Sequence, residues 1–150
     1  MLICPQCRRP SRRQEDRNSE DMRSGLVSIT FRKLSPAQIV DLVCRAGLEG
    51  IEWGGDVHVP HGEVARAREV GRITSDAGLA VASYGSYYRA GHGEGAPFET
   101  ILQTAAELKA PLIRVWAGIK GSADADADDK YRGRQSALGR LGNRRKKNLQ

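Results

Sequence analysis

Between residues 26 and 116, short β-prone runs alternate with stretches of helical period, and this alternation constrains the fold more than any other feature. The first run, residues 26–31 (LVSITF), gives way to Ser35-Pro36, a helix N-cap followed by proline at the first helical position. Ile39, Leu42, Val43 and Ala46 then form one apolar stripe, and Gly47 is placed to end the helix in the left-handed conformation. A second strand is expected at residues 50–53, followed by a polar loop over 56–61 and a helix marked by Val64, Ala67, Val70 and Ile73. Residues 79–83 predict a third strand, buried on both faces, which runs into a glycine- and tyrosine-rich loop over 84–93. Pro97 opens a third helix carrying Phe98, Ile101, Leu102, Ala105 and Leu108, and residues 111–116 supply a fourth strand. Units of about 30 residues in this order call for an α/β fold with a parallel sheet and right-handed crossovers, either barrel or doubly wound.

Beyond Gly118 the pattern stops. Residues 123–129 are an Ala-Asp repeat, and the basic stretch after them offers only scattered apolar residues, so a fourth helix is weakly signalled and no fifth strand is read. Charge divides the chain in the same way. Residues 1–25 hold six arginines against four acids, residues 130–150 hold eight Lys/Arg and no acid, and the part between is net acidic although the chain carries +6 overall. Three regions follow: a disordered leader over 1–24, a folded unit over 25–122, and a low-complexity acidic then basic tail over 123–150. The tail's composition is that of a solvated segment, or of a shifted reading frame. It lacks the interleaved aromatics of a nucleic-acid binder, so nucleic acid is not the expected partner. No stretch has the length of a membrane span or the apolar core of a secretory signal, which makes a cytoplasmic location the default expectation. Cys4 and Cys7 have the spacing of one zinc knuckle with no second pair, and Cys44 reads as a small core residue.

Four blocks carry a resemblance. Residues 51–60 (IEWGGDVHVP), 77–79 (AGL), 83–89 (SYGSYYR) and 110–118 (APLIRVWAG) resemble the sugar phosphate isomerase/epimerase group of xylose-isomerase-like barrels, in order and at the C-terminal ends of the four strands. The resemblance implies the first half of a (β/α)8 TIM barrel, whose active site is built at that end of the strands. It also implies proton transfer at the carbon beside a sugar carbonyl through an enediolate, assisted by a divalent metal such as manganese, magnesium, zinc or cobalt. In these barrels the metal ligands come from later strands, which are not read here. The chain is therefore expected to be an inactive fragment, with no catalytic residue and no metal ligand of its own. The one local departure is Lys109, where the resemblance calls for glycine; a lysine in a last helical turn is expected to cost little.

The residues expected to face a sugar or sugar phosphate are Glu52, His58, Tyr84 and Trp116. Glu52 ends the second strand, where a carboxylate reaches a substrate hydroxyl, supports a metal ligand from behind, or steadies an arginine. His58 and His61 lie three residues apart in the following loop; two imidazoles without a carboxylate set do not make a metal site. Tyr84, Tyr87 and Tyr88 concentrate the aromatics of a chain with only 5% of them, and such rings suit the apolar face of a sugar or the packing of a loop. Tyr84, at the strand end, is the one assigned to substrate. Trp116 and Arg114 are two apart on the fourth strand and share a face, so an inward-facing Arg114 requires an acidic partner such as Glu52. A four-stranded half barrel also leaves two sheet edges open, which points to a homo-oligomer.

Overall fold

The computed structural model describes residues 22–92, 95–121 and 123–129. Four strands, β1 (Gly25–Val27), β2 (Gly50–Gly54), β3 (Ala80–Arg89) and β4 (Ile113–Trp116), form one sheet in the order β1-β2-β3-β4 with every pairing parallel. Three helices, α1 (Pro36–Arg45), α2 (Val64–Asp76) and α3 (Phe98–Glu107), connect them. The unreversed strand order is that of the partial TIM barrel that the resemblance implies, where the alternation left a doubly wound sheet open as well. Consecutive parallel neighbours joined by helical crossovers are the repeat from which such a barrel is wound.

Local chemistry sets the helix ends. Ser35 Oγ accepts from the Gln38 N–H while Gln38 Oε1 accepts from the Ser35 N–H, a reciprocal cap with Pro36 in the first turn. At its other end Gly47 takes φ +70°, the left-handed conformation that glycine adopts without a Cβ penalty. At the end of α3 the same position is held by Lys109, with φ +61°. That corrects the expectation that lysine is harmless there. The residue lies beyond the last helical turn in a conformation that costs a side chain roughly 1–2 kcal/mol.

Two strand boundaries also differ from expectation. β1 stops at Val27, and residues Ser28–Phe31 form a 3₁₀ turn. Their β-prone composition is overridden because the Ser28 side chain, buried under the turn, takes the Gly54 N–H at 2.9 Å in place of a continued ladder. β3 instead runs through residues expected to be loop, because β4 pairs with it out to Arg89 and the Ala90 N–H donates to Trp116 O. A non-local partner decides strand length there, not composition.

The core lies between the sheet and its helices. Ile51, Trp53 and Tyr84 from the sheet pack against Ile39 and Val43 of α1, Ala67 and Val70 of α2, and Ile101 and Ala105 of α3. Their opposite neighbours on the strands, such as Glu52, face the side without helices. Residues 127–129 are helical, and Asp126 and Asp129 exchange backbone-to-carboxylate hydrogen bonds around them. Part of the acidic repeat is thus ordered by its own carboxylates although it has no apolar stripe. The leader over 1–21 and the tail over 130–150, with Cys4 and Cys7, lie outside the described residues. Among the described residues no helix is long and apolar enough to cross a membrane.

Candidate functional site at the strand ends

On the helix-free face, Glu52 from the middle of β2, Ser83 from the first half of β3 and Arg114 from the first half of β4 come together. Glu52 lies between Ile51 and Trp53, both fully buried against the helices, so period-two alternation sends its carboxylate the other way. The β2–β3 register slips between Ile51 and Glu52, opposing Ser83 to Glu52 where strict pairing would place Ala82. The extra residue turns the Ser83 hydroxyl inward, and it donates to Glu52 Oε2 at 2.6 Å. The Arg114 Nε–H donates to Glu52 Oε1 at 2.8 Å, reaching across β3 from β4. Gly85 stands beneath that bridge. A Cβ there would lie 2.8 Å from Arg114 Nη2 and 3.0 Å from Glu52 Oε1, so any side chain would push the pair apart.

Aromatic rings frame the guanidinium. Arg114 Cζ lies 5.8 Å from the centroid of Tyr87 and 5.7 Å from that of Trp116, and Arg89 approaches Trp116 to 5.9 Å. Arg89 also donates to Gly118 O at 2.9 Å. Trp116 remains 45% exposed, leaving part of its ring open to a ligand. Tyr87 holds a φ of +56° within the irregular stretch where the β3–β4 register shifts between Gly85 and Arg89. Strained backbone held by its surroundings is a recurrent feature of binding sites. At the rim, Arg32 pairs with Asp56 and approaches the Tyr87 hydroxyl at 3.4 Å.

Tyr84 and His58 are placed elsewhere. Tyr84 is fully buried on the helix side, where its hydroxyl donates to Val59 O at 2.7 Å and contacts His61 Nδ1 at 2.7 Å. Since the phenol's one proton goes to Val59, His61 Nδ1–H is the donor in that contact. Burial raises the Tyr84 pKa far above that of an ordinary phenol. His58 is 1% exposed, with Nε2 3.2 Å from Leu34 O and Nδ1 3.1 Å from Ser28 Oγ. The Leu34 carbonyl can only accept, so Nε2 carries the proton and Nδ1 accepts from Ser28, a neutral ring that ties the β2–α2 loop to the turn after β1. Of the four residues assigned to substrate, Glu52 and Trp116 therefore share the helix-free face, while His58 and Tyr84 brace the loop behind it. Arg114 stands where an inward arginine was expected to need Glu52. Tyr87, Ser83 and Arg89 complete the cluster; the sequence signal available for Arg89 was its place after the tyrosines.

Burial lowers the pKa of both His58 and His61 below the ordinary imidazole value of 6.5. The folded state then binds fewer protons than the unfolded chain below that value. Stability from these groups is complete above pH 6.5 and declines as pH falls through the depressed folded values. The melting temperature should drop between pH 7.5 and 5, and His61→Gln should flatten the slope. An unchanged slope in that variant would show that His61 does not contribute to the acid response.

Among the described residues no three His, Cys, Asp or Glu side chains converge as a metal-binding group would require. The resemblance implies a divalent metal, but these donors do not fit one: Glu52 is taken by Arg114 and Ser83, and the imidazoles of His58 and His61 are bonded within the loop.

No protein-family model matches the chain, and no curated protein matches it. Solved structures do. A xylose isomerase domain-containing protein from Salmonella typhimurium superposes with a TM-score of 0.60 at 16% identity, over 84% of this chain and 47% of that one. The chain has the fold of part of a xylose-isomerase-like TIM barrel. A probable 3-DHS dehydratase involved in petrobactin synthesis, from Bacillus anthracis, matches with a TM-score of 0.55 at 27% identity, over 80% of this chain and 46% of that chain. The chain spans about half the length of each of these xylose-isomerase-like barrels.

Proposed function

We propose that this half of a xylose-isomerase-like barrel supplies the substrate-holding rim of a cytoplasmic sugar or sugar phosphate isomerase or epimerase. The observation that supports the reading is the half-open Trp116 with Arg89 at the C-terminal ends of β4 and β3, beside the Glu52–Arg114 pair on the helix-free face. That is the end at which TIM barrels build their active sites. The apolar face of a sugar ring stacks on Trp116, its hydroxyls donate to the Glu52 carboxylate, and Arg89 with Arg114 balances the negative charge of a phosphate or of a developing enediolate. Glu52 and Arg114 then orient the sugar and supply no proton-transfer step themselves.

The test separates holding from chemistry. Titrating the chain with a pentose 5-phosphate should shift the Trp116 indole resonance, and Arg114→Met should weaken binding by about tenfold, equivalent to about 1.4 kcal/mol. No turnover should be detected with manganese, magnesium, zinc or cobalt. Turnover that co-purifies with the chain and is abolished by chelator would overturn the passive role. An unmoved Trp116 resonance at saturating sugar phosphate would overturn the substrate assignment.

A further inference from the structure

The two flanks of the sheet carry an inference that does not depend on what the barrel binds. β1 and β4 each have one strand neighbour among the described residues, and every existing pairing is parallel. On the β4 flank the Tyr84 N–H donates to Leu112 O and the Ala90 N–H to Trp116 O, both at 2.9 Å, so the main-chain groups of Leu112 and Trp116 point toward β3. By alternation those of Val115 point away from it, toward the open edge. The apolar residues left exposed gather on the same flanks. Leu112 is 66% exposed, Ile119 61%, Trp116 45% and Val115 39% along β4 and just beyond it, and Val27 is 39% exposed at the end of β1. Edges of this kind are normally paired, covered or charged.

We propose that the occupant is a second copy of this chain. The β4 strand of each copy lies parallel to the β1 strand of the other, about a two-fold axis along the centre of the barrel. Three observations select a second copy over an unrelated partner. The strands to be joined match in sense and nearly in length, three residues in β1 and four in β4. Eight strands is the number at which a parallel barrel closes with a filled interior, and the two junctions made by one two-fold leave no edge. The buried charges facing the interior are matched within each copy, Glu52 against Arg114, while Arg89 stays solvent-exposed at the rim, so closure buries no unpaired charge at the centre. Closure also sets two Glu52–Arg114–Trp116 clusters on one rim, making the candidate site a joint product of both copies.

Sedimentation velocity on the 150-residue chain at micromolar concentration should give a dimer, with the Val115 amide among the slow-exchanging protons because it is bonded to the partner's β1. Val115→Pro removes that outward N–H while leaving the bonds to β3 intact, as proline on an edge strand allows. It should raise the dissociation constant by at least about tenfold with an unchanged circular dichroism spectrum. If that variant does not fold, Val115→Lys, which charges the same edge, should give the same monomer. A cooperatively folded wild-type monomer, a dimer with a fast-exchanging Val115 amide, or a dimer indifferent to the edge substitutions would each overturn the proposal.

Discussion

Trp53→Ala should cost about 3–5 kcal/mol, the range for deleting a fully buried large aromatic, which leaves little of the 5–15 kcal/mol that holds a typical domain together. Trp53 is fully buried between the sheet and α2. Its Nε1–H donates to Thr74 Oγ1 at 3.2 Å, and that hydroxyl in turn donates to Val70 O at 2.7 Å. The ring also meets the edge of His58 at a centroid distance of 6.0 Å, so its removal opens a cavity reaching the β2–α2 loop. Trp53→Phe keeps much of the volume and leaves Thr74 bonded to Val70; it should cost about 1–2 kcal/mol. Urea denaturation followed by circular dichroism measures both. A loss below about 1 kcal/mol for the alanine variant would mean that the helices collapse freely onto the sheet, against the close packing expected of an ordered core.

Gly71→Ala tests the contact between α2 and α3, and the structure reverses the sign that the sequence alone suggests. Glycine inside a helix is worse than alanine by about 1 kcal/mol, so the substitution would ordinarily stabilise. Here the added Cβ would fall 2.6 Å from Leu108 O and 3.1 Å from Leu108 C, which are backbone atoms at the end of α3 and cannot rotate aside. The two helices must separate or tilt, and the expected outcome is a net loss of about 1–3 kcal/mol. A rise in melting temperature would show that α3 yields at its end, where Lys109 already holds an unfavourable φ.

Much of the architecture was legible because its determinants are local. The Ser35-Pro36 cap, the stripe through Ile39 and Val43 and the glycine that ends α1 are all short-range signals, and each corresponds to a feature of the structure. The partnership of Glu52 and Arg114 was legible for a different reason. Strand periodicity places Arg114 with Trp116, and an inward-facing guanidinium needs a carboxylate, of which Glu52 was the one at a strand end. Tyr84 and Tyr87 could not be told apart in this way. They lie three residues apart, so strand alternation sends them to opposite faces, but that reading needs β3 to run on to Arg89, which its pairing with β4 decides.

The sequence by itself determined the order of elements, the parallel sense of the sheet and the end of the strands at which polar chemistry gathers, since hydrophobic period, caps and crossover handedness act within one βα unit. Tertiary structure decided where β1 stops, how far β3 runs, which tyrosine meets Arg114, that His58 is enclosed between Ser28 and Leu34, and that Lys109 must take a left-handed backbone. Each of these depends on a partner from a different unit, such as the Ser28 hydroxyl on Gly54 or β4 on the far half of β3. A contact between distant segments leaves no periodic trace in either one. Its free energy is felt only when the chain brings both together, and there it outweighs local preferences worth about 1 kcal/mol or less.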